Sequence, residues 1–243
     1  MEPQIIETPG LNAWWQSPPG QYLLDWQQTQ FDRVVGDVFG YHALQLGLPH
    51  IDTLRHNRMP HRWMACRNHA DLALWLAQPQ QAQDPGAKRS VFVTESVALP
   101  FADQSLDLVV LPHGLETSLD PHTTLREVER VLVPEGRLVI SGLNPMSLWG
   151  RQGASLIAYR RLRDWLRLLG FEVQVSRFGG WTPALGSERW MQRLSWMMKR
   201  ASLLQQRMKH WLTKPCACSR LPVELFRRTF SIRAATCCSG CVT

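Results

Sequence analysis

A chain of 243 residues with 44% hydrophobic and 19% charged side chains is long enough to bury one substantial core and has the balance of a folded globular protein. It holds no run of the roughly 18 apolar residues that a spanning helix needs, and its N-terminus lacks a basic region followed by an apolar stretch, so no membrane insertion is expected and the expected location is the cytoplasm. The charge of +7 suggests nucleic acid only until it is mapped: eleven of the 27 basic and two of the 20 acidic side chains fall in residues 187–243, which leaves the body of the chain near neutral.

In chain order, Pro3, Pro9, Gly10, Pro18, Pro19 and Gly20 mark an irregular lead-in that Trp14 and Trp15 pack onto the domain. Over residues 21–39, Leu23, Leu24, Phe31, Val34, Val35 and Val38 recur at helical spacing, and Gly40 ends that helix. The run Ala43-Leu44-Gln45-Leu46-Gly47 predicts the first strand. A short strand at residues 63–66 and a helix at residues 70–76 follow, then a loop at residues 78–86 by composition. Val91-Phe92-Val93-Thr94 and the almost wholly apolar Leu106-Asp107-Leu108-Val109-Val110-Leu111 predict two strands, the second covered on both faces. From Pro121 to Val133 the residues Leu125, Val128, Val131 and Leu132 share one helical face. Pro134-Glu135-Gly136 then turns the chain into the strand Leu138-Val139-Ile140-Ser141. A helix running to Leu168-Leu169 stops at Gly170, and the strand Phe171-Glu172-Val173-Gln174-Val175 follows. Strands alternating with helices of about a dozen residues predict an α/β fold whose parallel sheet is wound on both faces. The organisation predicted is a lead-in and helix over residues 1–40, an α/β domain over residues 41–186, and a basic, cysteine-containing region over residues 187–243 that is partly disordered.

Two blocks carry a family resemblance. Glu95-Ser96-Val97-Ala98-Leu99-Pro100-Phe101 with its following strand, and Leu125-Arg126-Glu127-Val128-Glu129-Arg130-Val131-Leu132-Val133-Pro134-Glu135-Gly136, resemble the class I S-adenosylmethionine-dependent methyltransferases, in the branch of the ubiquinone and menaquinone C-methyltransferases. The likeness covers roughly residues 40–176. It implies a Rossmann-like doubly wound sheet with S-adenosylmethionine bound beyond the carboxyl ends of the strands, where strand order reverses. By the same resemblance Glu95 receives the adenine amino group, where the family usually has Asp; Val97 and Leu99 wall the adenine; Gly47 lies at the cofactor's amino-acid end; and His113 lines the methyl-transfer pocket as general base or substrate contact.

The chain departs from the family at the first strand. There the family reads Asp-x-Gly-x-Gly-x-Gly, and this sequence reads Gln45-Leu46-Gly47-Leu48-Pro49-His50, so one glycine remains, bulk replaces small residues and Gln45 replaces an acid. The acid that holds the ribose at the end of the second strand is missing from its usual place, and Asp71 is a substitute for it. Two readings follow: a cofactor held by backbone around Gly47 and by Glu95, or a methyltransferase fold that has lost strong cofactor binding and acts as a binding or interaction protein. Methyl transfer itself needs mainly alignment, which can supply about 7–11 kcal/mol, and a base only when the nucleophile carries a proton.

Each singled-out residue also has a plainer explanation. His113 reads equally as a surface histidine, Glu116 as a solvated carboxylate, and Tyr41 and His42 either line the cofactor site or pack a helix-to-strand corner. Asp107 anchors a strand to a neighbouring loop, Arg126, Glu127 and Arg130 pair and pack, and Asn144-Pro145 shapes the substrate side or is a plain turn. Trp149, Trp165, Trp181, Trp190, Trp196 and Trp211 follow the fifth strand, in the half of the fold that carries substrate-specific parts, and suggest a small apolar or aromatic acceptor. In the tail only Cys238-x-x-Cys241 has metal-ligand spacing, so no metal is expected. Basic residues there without a recognisable binding fold make nucleic acid an unlikely partner. The family closes its sheet with an antiparallel hairpin strand, for which Thr229-Phe230-Ser231-Ile232 is the nearest candidate.

Overall fold

The computed structural model describes residues 14–78, 88–143, 145, 156–179 and 230–235. Its seven strands are β1 (His42–Leu46), β2 (His61–Cys66), β3 (Lys88–Val93), β4 (Leu106–Pro112), β5 (Leu132–Ser141), β6 (Phe171–Arg177) and β7 (Phe230–Ala235). They form one sheet in the order β3-β2-β1-β4-β5-β7-β6, and every neighbouring pair is parallel.

The central strands are mostly apolar because the sheet is covered twice. Side chains alternate along each strand: Leu108 and Val110 point to one layer with Ala43 and Val139, while Val109 and Leu111 point to the other with Leu44, Leu138 and Ile140. The first layer is helix α1 (Pro18–Val35), which buries Leu23, Leu24, Phe31, Val34 and Val35 beside Trp14 and Trp15. Ser17 caps α1, accepting from the Gly20 N–H, and prolines occupy its first turn, where their missing N–H groups would have no helical partner anyway. The helix therefore begins three residues before its predicted start and ends at Val35 rather than near Phe39, with Gly36 at its C-cap. The second layer holds α3 (Pro121–Val131) and α4 (Tyr159–Leu168), through Leu125, Val128, Val131, Leu162 and Leu166. Helix α2 (His69–Leu76) packs on β2 and the edge strand β3 through Trp75.

Residues 47–60 join β1 to β2 without a helix, and the Gln45 side chain supplies bonds that organise this link (below). Two departures from the sequence expectation have physical reasons. Pro134-Glu135-Gly136 lies inside β5 rather than ahead of it: pairing to β4 jumps from Leu106–Leu132 to Leu108–Arg137, and Glu135 takes φ 66° to absorb the extra residues. The tail segment around Phe230 does enter the sheet, but β7 runs parallel to both β5 and β6, where an antiparallel hairpin strand is the family expectation. Parallel pairing requires a crossover of a dozen residues or more, and the long stretch between β6 and β7 supplies that length. Apart from Gln78, the predicted loop at residues 78–86 lies outside the described residues, as do Asn144, the tail cysteines and, of the six late tryptophans, all but Trp165.

Candidate functional site

Strand order reverses between β1 and β4, so their carboxyl ends open the crevice in which ligands of such sheets bind. Gly47 leaves β1 at φ 86°, a left-handed conformation that favours glycine, and its N–H donates to the Ala65 carbonyl at 3.1 Å. Leu48 follows at φ 43°, a conformation costly for a branched side chain and held here by its neighbours. The holding group is Gln45, 1% exposed. Its Nε2 donates to the carbonyls of Gly47, Leu48 and Ile51, at 2.8 Å for the last, and its Oε1 accepts from the Thr53 N–H and hydroxyl at 2.9 and 2.7 Å. A carboxylate cannot donate to those three carbonyls, so the amide is the side chain this link requires.

At the end of β2, Asn68 caps α2, and Asp71 in its first turn pairs with Arg67 at 2.9 Å through Oδ2. Asp71 is 1% exposed, yet among the described residues its Oδ1 has no hydrogen-bond partner, and neither do the two ring nitrogens of His50. Burial lowers the pKa of His50 and keeps the ring neutral, with Asp71 opposing that shift. Burial likewise pushes the neighbouring Cys66 thiol up to about 11. Unpaired buried polar atoms cost about 1–3 kcal/mol each. A ribose hydroxyl donating to Asp71 Oδ1 and a neutral imidazole beside a sulfonium both suit S-adenosylmethionine, so these residues fit that cofactor.

Glu95 lies two residues past β3, exposed, and its carboxylate makes no hydrogen bond or ion pair among the described residues. Val97 is half-buried and Leu99 is 5% exposed. This loop is clamped by α3: the Leu99 N–H donates to Glu127 Oε1 at 2.9 Å, and Arg130 donates to the Leu99 and Phe101 carbonyls and to Asp103. Arg130 also pairs with Glu127 at 2.6 Å, which holds the Glu127 carboxyl below its ordinary pKa. The two sequence blocks thus meet in space, and Glu127 and Arg130 act by pairing and packing as expected.

His113 is not a surface residue. It is 1% exposed, has φ 53°, and lies immediately after β4. Its Nδ1–H donates to Glu116 Oε2 at 2.6 Å, and its Nε2 accepts from the Gln27 amide of α1 at 2.6 Å. The Trp15 ring lies against it, centroids 4.9 Å apart. Nor is Glu116 solvated: it is 8% exposed, and its Oε1 accepts the Leu143 N–H beyond β5. Gly142 permits this approach, since a Cβ there would stand 3.0 Å from Glu116 Oε1. Tyr41 and His42 belong to the opposite end of the sheet, at the start of β1. There Asp107 Oδ2 accepts both their N–H groups, at 2.8 and 2.9 Å, and His42 stacks on His61. His42 packs at this corner while the Tyr41 ring is exposed, and Asp107 has the anchoring role expected of it.

The sequence reading missed Gln27, Trp15 and His50 as site residues. A signal existed for Gln27: it occupies the apolar stripe of α1, four residues from both Leu23 and Phe31, where an unexplained amide signals a buried partner. Trp15 reads only as packing until the tertiary fold places it on His113.

Residues 61–140, from the start of β2 into β5, match the family described as a methyltransferase domain. The uncharacterized protein YafS of Escherichia coli K12 is 30% identical over 190 residues, 72% of this chain and 71% of its own length. Malonyl-[acyl-carrier protein] O-methyltransferase 1 of Coxiella burnetii is 42% identical over 103 residues, which is 42% of this chain but only 36% of that enzyme. In fold, a SAM-dependent methyltransferase of Thermotoga maritima superposes with a TM-score of 0.50 at 15% identity, covering 68% of this chain and 78% of the other.

Proposed function

Because this chain belongs to the class I S-adenosylmethionine-dependent methyltransferases, we propose that it transfers a methyl group to a small apolar or aromatic acceptor in the crevice between β1 and β4. S-adenosylmethionine supplies an electrophilic sulfonium methyl. The protein's part is to hold it, align the acceptor and exclude water. In this reading the backbone at Gly47 receives the amino-acid end, Asp71 Oδ1 accepts from a ribose hydroxyl, Glu95 accepts from the adenine amine, and Val97 and Leu99 flank the base. His113 faces the acceptor. The observation that carries the reading is the set of buried polar atoms without partners, Asp71 Oδ1 and the His50 ring nitrogens, at the ends of the strands where this family binds its cofactor.

Calorimetric titration with S-adenosylmethionine and S-adenosylhomocysteine tests it. We expect micromolar binding that weakens about tenfold, roughly 1.4 kcal/mol, in Glu95→Ala. No heat and no thermal shift at millimolar ligand would overturn the reading.

A further inference from the structure

His113, Glu116, Gln27 and Trp15 form a cluster at the carboxyl ends of β4 and β5 that the cofactor contacts leave unused. Its hydrogen-bond inventory is incomplete in a particular way. His113 is satisfied at Nδ1 by Glu116, and Glu116 is satisfied on both oxygens, by His113 and by the Leu143 N–H. Gln27 is 1% exposed and its Nε2 meets His113, but its Oε1 has no partner among the described residues. Trp15 is also 1% exposed, and its indole Nε1–H has none among them either. One buried acceptor and one buried donor therefore remain unmatched on the two side chains that touch the His113 ring, Gln27 at Nε2 and Trp15 ring against ring. Both side chains come from the N-terminal segment and α1, the layer laid over the sheet, rather than from the sheet itself.

From this we infer that the cluster is the acceptor subsite and that the acceptor is a hydroxyl compound, with Gln27 standing in for it at His113 Nε2 and Glu116 serving as a positioning residue. The inference rests on the methyl-transfer reading above. A hydroxyl carries one donor and two lone pairs. Its O–H takes the place of the Gln27 amide at His113 Nε2, one lone pair accepts from Trp15 Nε1–H, and the other is left for the methyl. A carboxylate has no proton to give Nε2, and an amine nitrogen has a single lone pair, which the methyl takes, so none is left to accept from Trp15. In the transfer the oxygen lone pair bonds to the methyl carbon, and the C–S bond breaks with both electrons staying on sulfur. The hydroxyl proton passes to His113 Nε2, and the imidazolium formed lies against the Glu116 carboxylate before losing its proton to water. Glu116 acts through His113: it fixes the Nδ1–H tautomer, so that the lone pair is at Nε2 where the acceptor lies.

The test uses the full chain with methyl-labelled S-adenosylmethionine and aromatic acceptors matched in size: naphthol, naphthylamine and naphthoate. We expect label on the hydroxyl compound, a loss of at least 100-fold in His113→Gln, and about tenfold lower kcat at unchanged KM in Glu116→Gln. Trp15→Phe, a mild change that removes only the N–H, should raise KM for naphthol about tenfold and leave S-adenosylhomocysteine affinity unchanged. In ring-15N histidine spectra, Glu116→Gln should shift His113 away from the Nδ1–H tautomer. Label preferentially on the amine or carboxylate, no label on naphthol although S-adenosylhomocysteine binds, or a tautomer indifferent to Glu116→Gln would each overturn the assignment. Failure of the wild type to bind S-adenosylhomocysteine would instead overturn the methyl-transfer reading, so the two failures are distinguishable.

Discussion

Gln45 shows how one side chain compensates for a motif that has otherwise gone. All but one of the glycines that shape the family's loop are absent here, and residues 47–53 take their course from Gly47 and from five contacts to one buried amide. Replacing Gln45 by Leu keeps the volume and removes every one of those bonds. The Ile51 carbonyl and the Thr53 N–H lose their Gln45 partner. At about 1–3 kcal/mol for each group left unsatisfied, we expect Gln45→Leu to lower stability by about 3 kcal/mol in denaturant melts. S-adenosylhomocysteine should bind it more weakly, since Gly47 belongs to the same link. A fall in stability with cofactor affinity intact would separate the loop from the site. The same residue illustrates the limit of reading letters: Gln in place of an acid looks like loss, and becomes intelligible only when its five partners are seen.

At the scale of elements, the loop after β3 and α3 are one unit, because Glu127 and Arg130 tie residues 99–103 to the helix. The spacing of Arg and Glu on α3 was legible in the sequence as a pairing pattern, but its target in another segment was not. Strand β5 carries a testable irregularity. Glu135 is exposed and left-handed at φ 66°, a conformation that favours glycine. A left-handed non-glycine costs about 1–2 kcal/mol, and a glycine there would lose about 0.5–1 kcal/mol to extra freedom in the unfolded chain. Glu135→Gly should therefore raise stability by about 0.5–1 kcal/mol in thermal or denaturant unfolding, with S-adenosylhomocysteine affinity unaltered. Destabilisation instead would mean that the Glu135 side chain makes a compensating contribution.

Over the whole molecule, the sheet depends on a strand from the far end of the chain. Removing residues 230–243 would strip β7 from between β5 and β6 and leave two unpaired edges, which invite association with other chains. We expect that truncation to lower the melting temperature and to elute as aggregates in size-exclusion chromatography; unchanged behaviour would show that β7 contributes little to the fold. The sequence by itself determined the alternation of strands and helices, because the periods of 2 and 3.6 are local consequences of backbone geometry. It also determined the methyltransferase resemblance and the placement of the crevice at the ends of β1 and β4, since those follow from motif order. It could not say that β7 runs parallel, that Gln45 organises the link after β1, or that His113 lies beneath Trp15 and Gln27 with Glu116 behind it. Those are contacts between segments distant in the chain. They are decided by which side chains the two layers bring together on the sheet, and no local spacing encodes that.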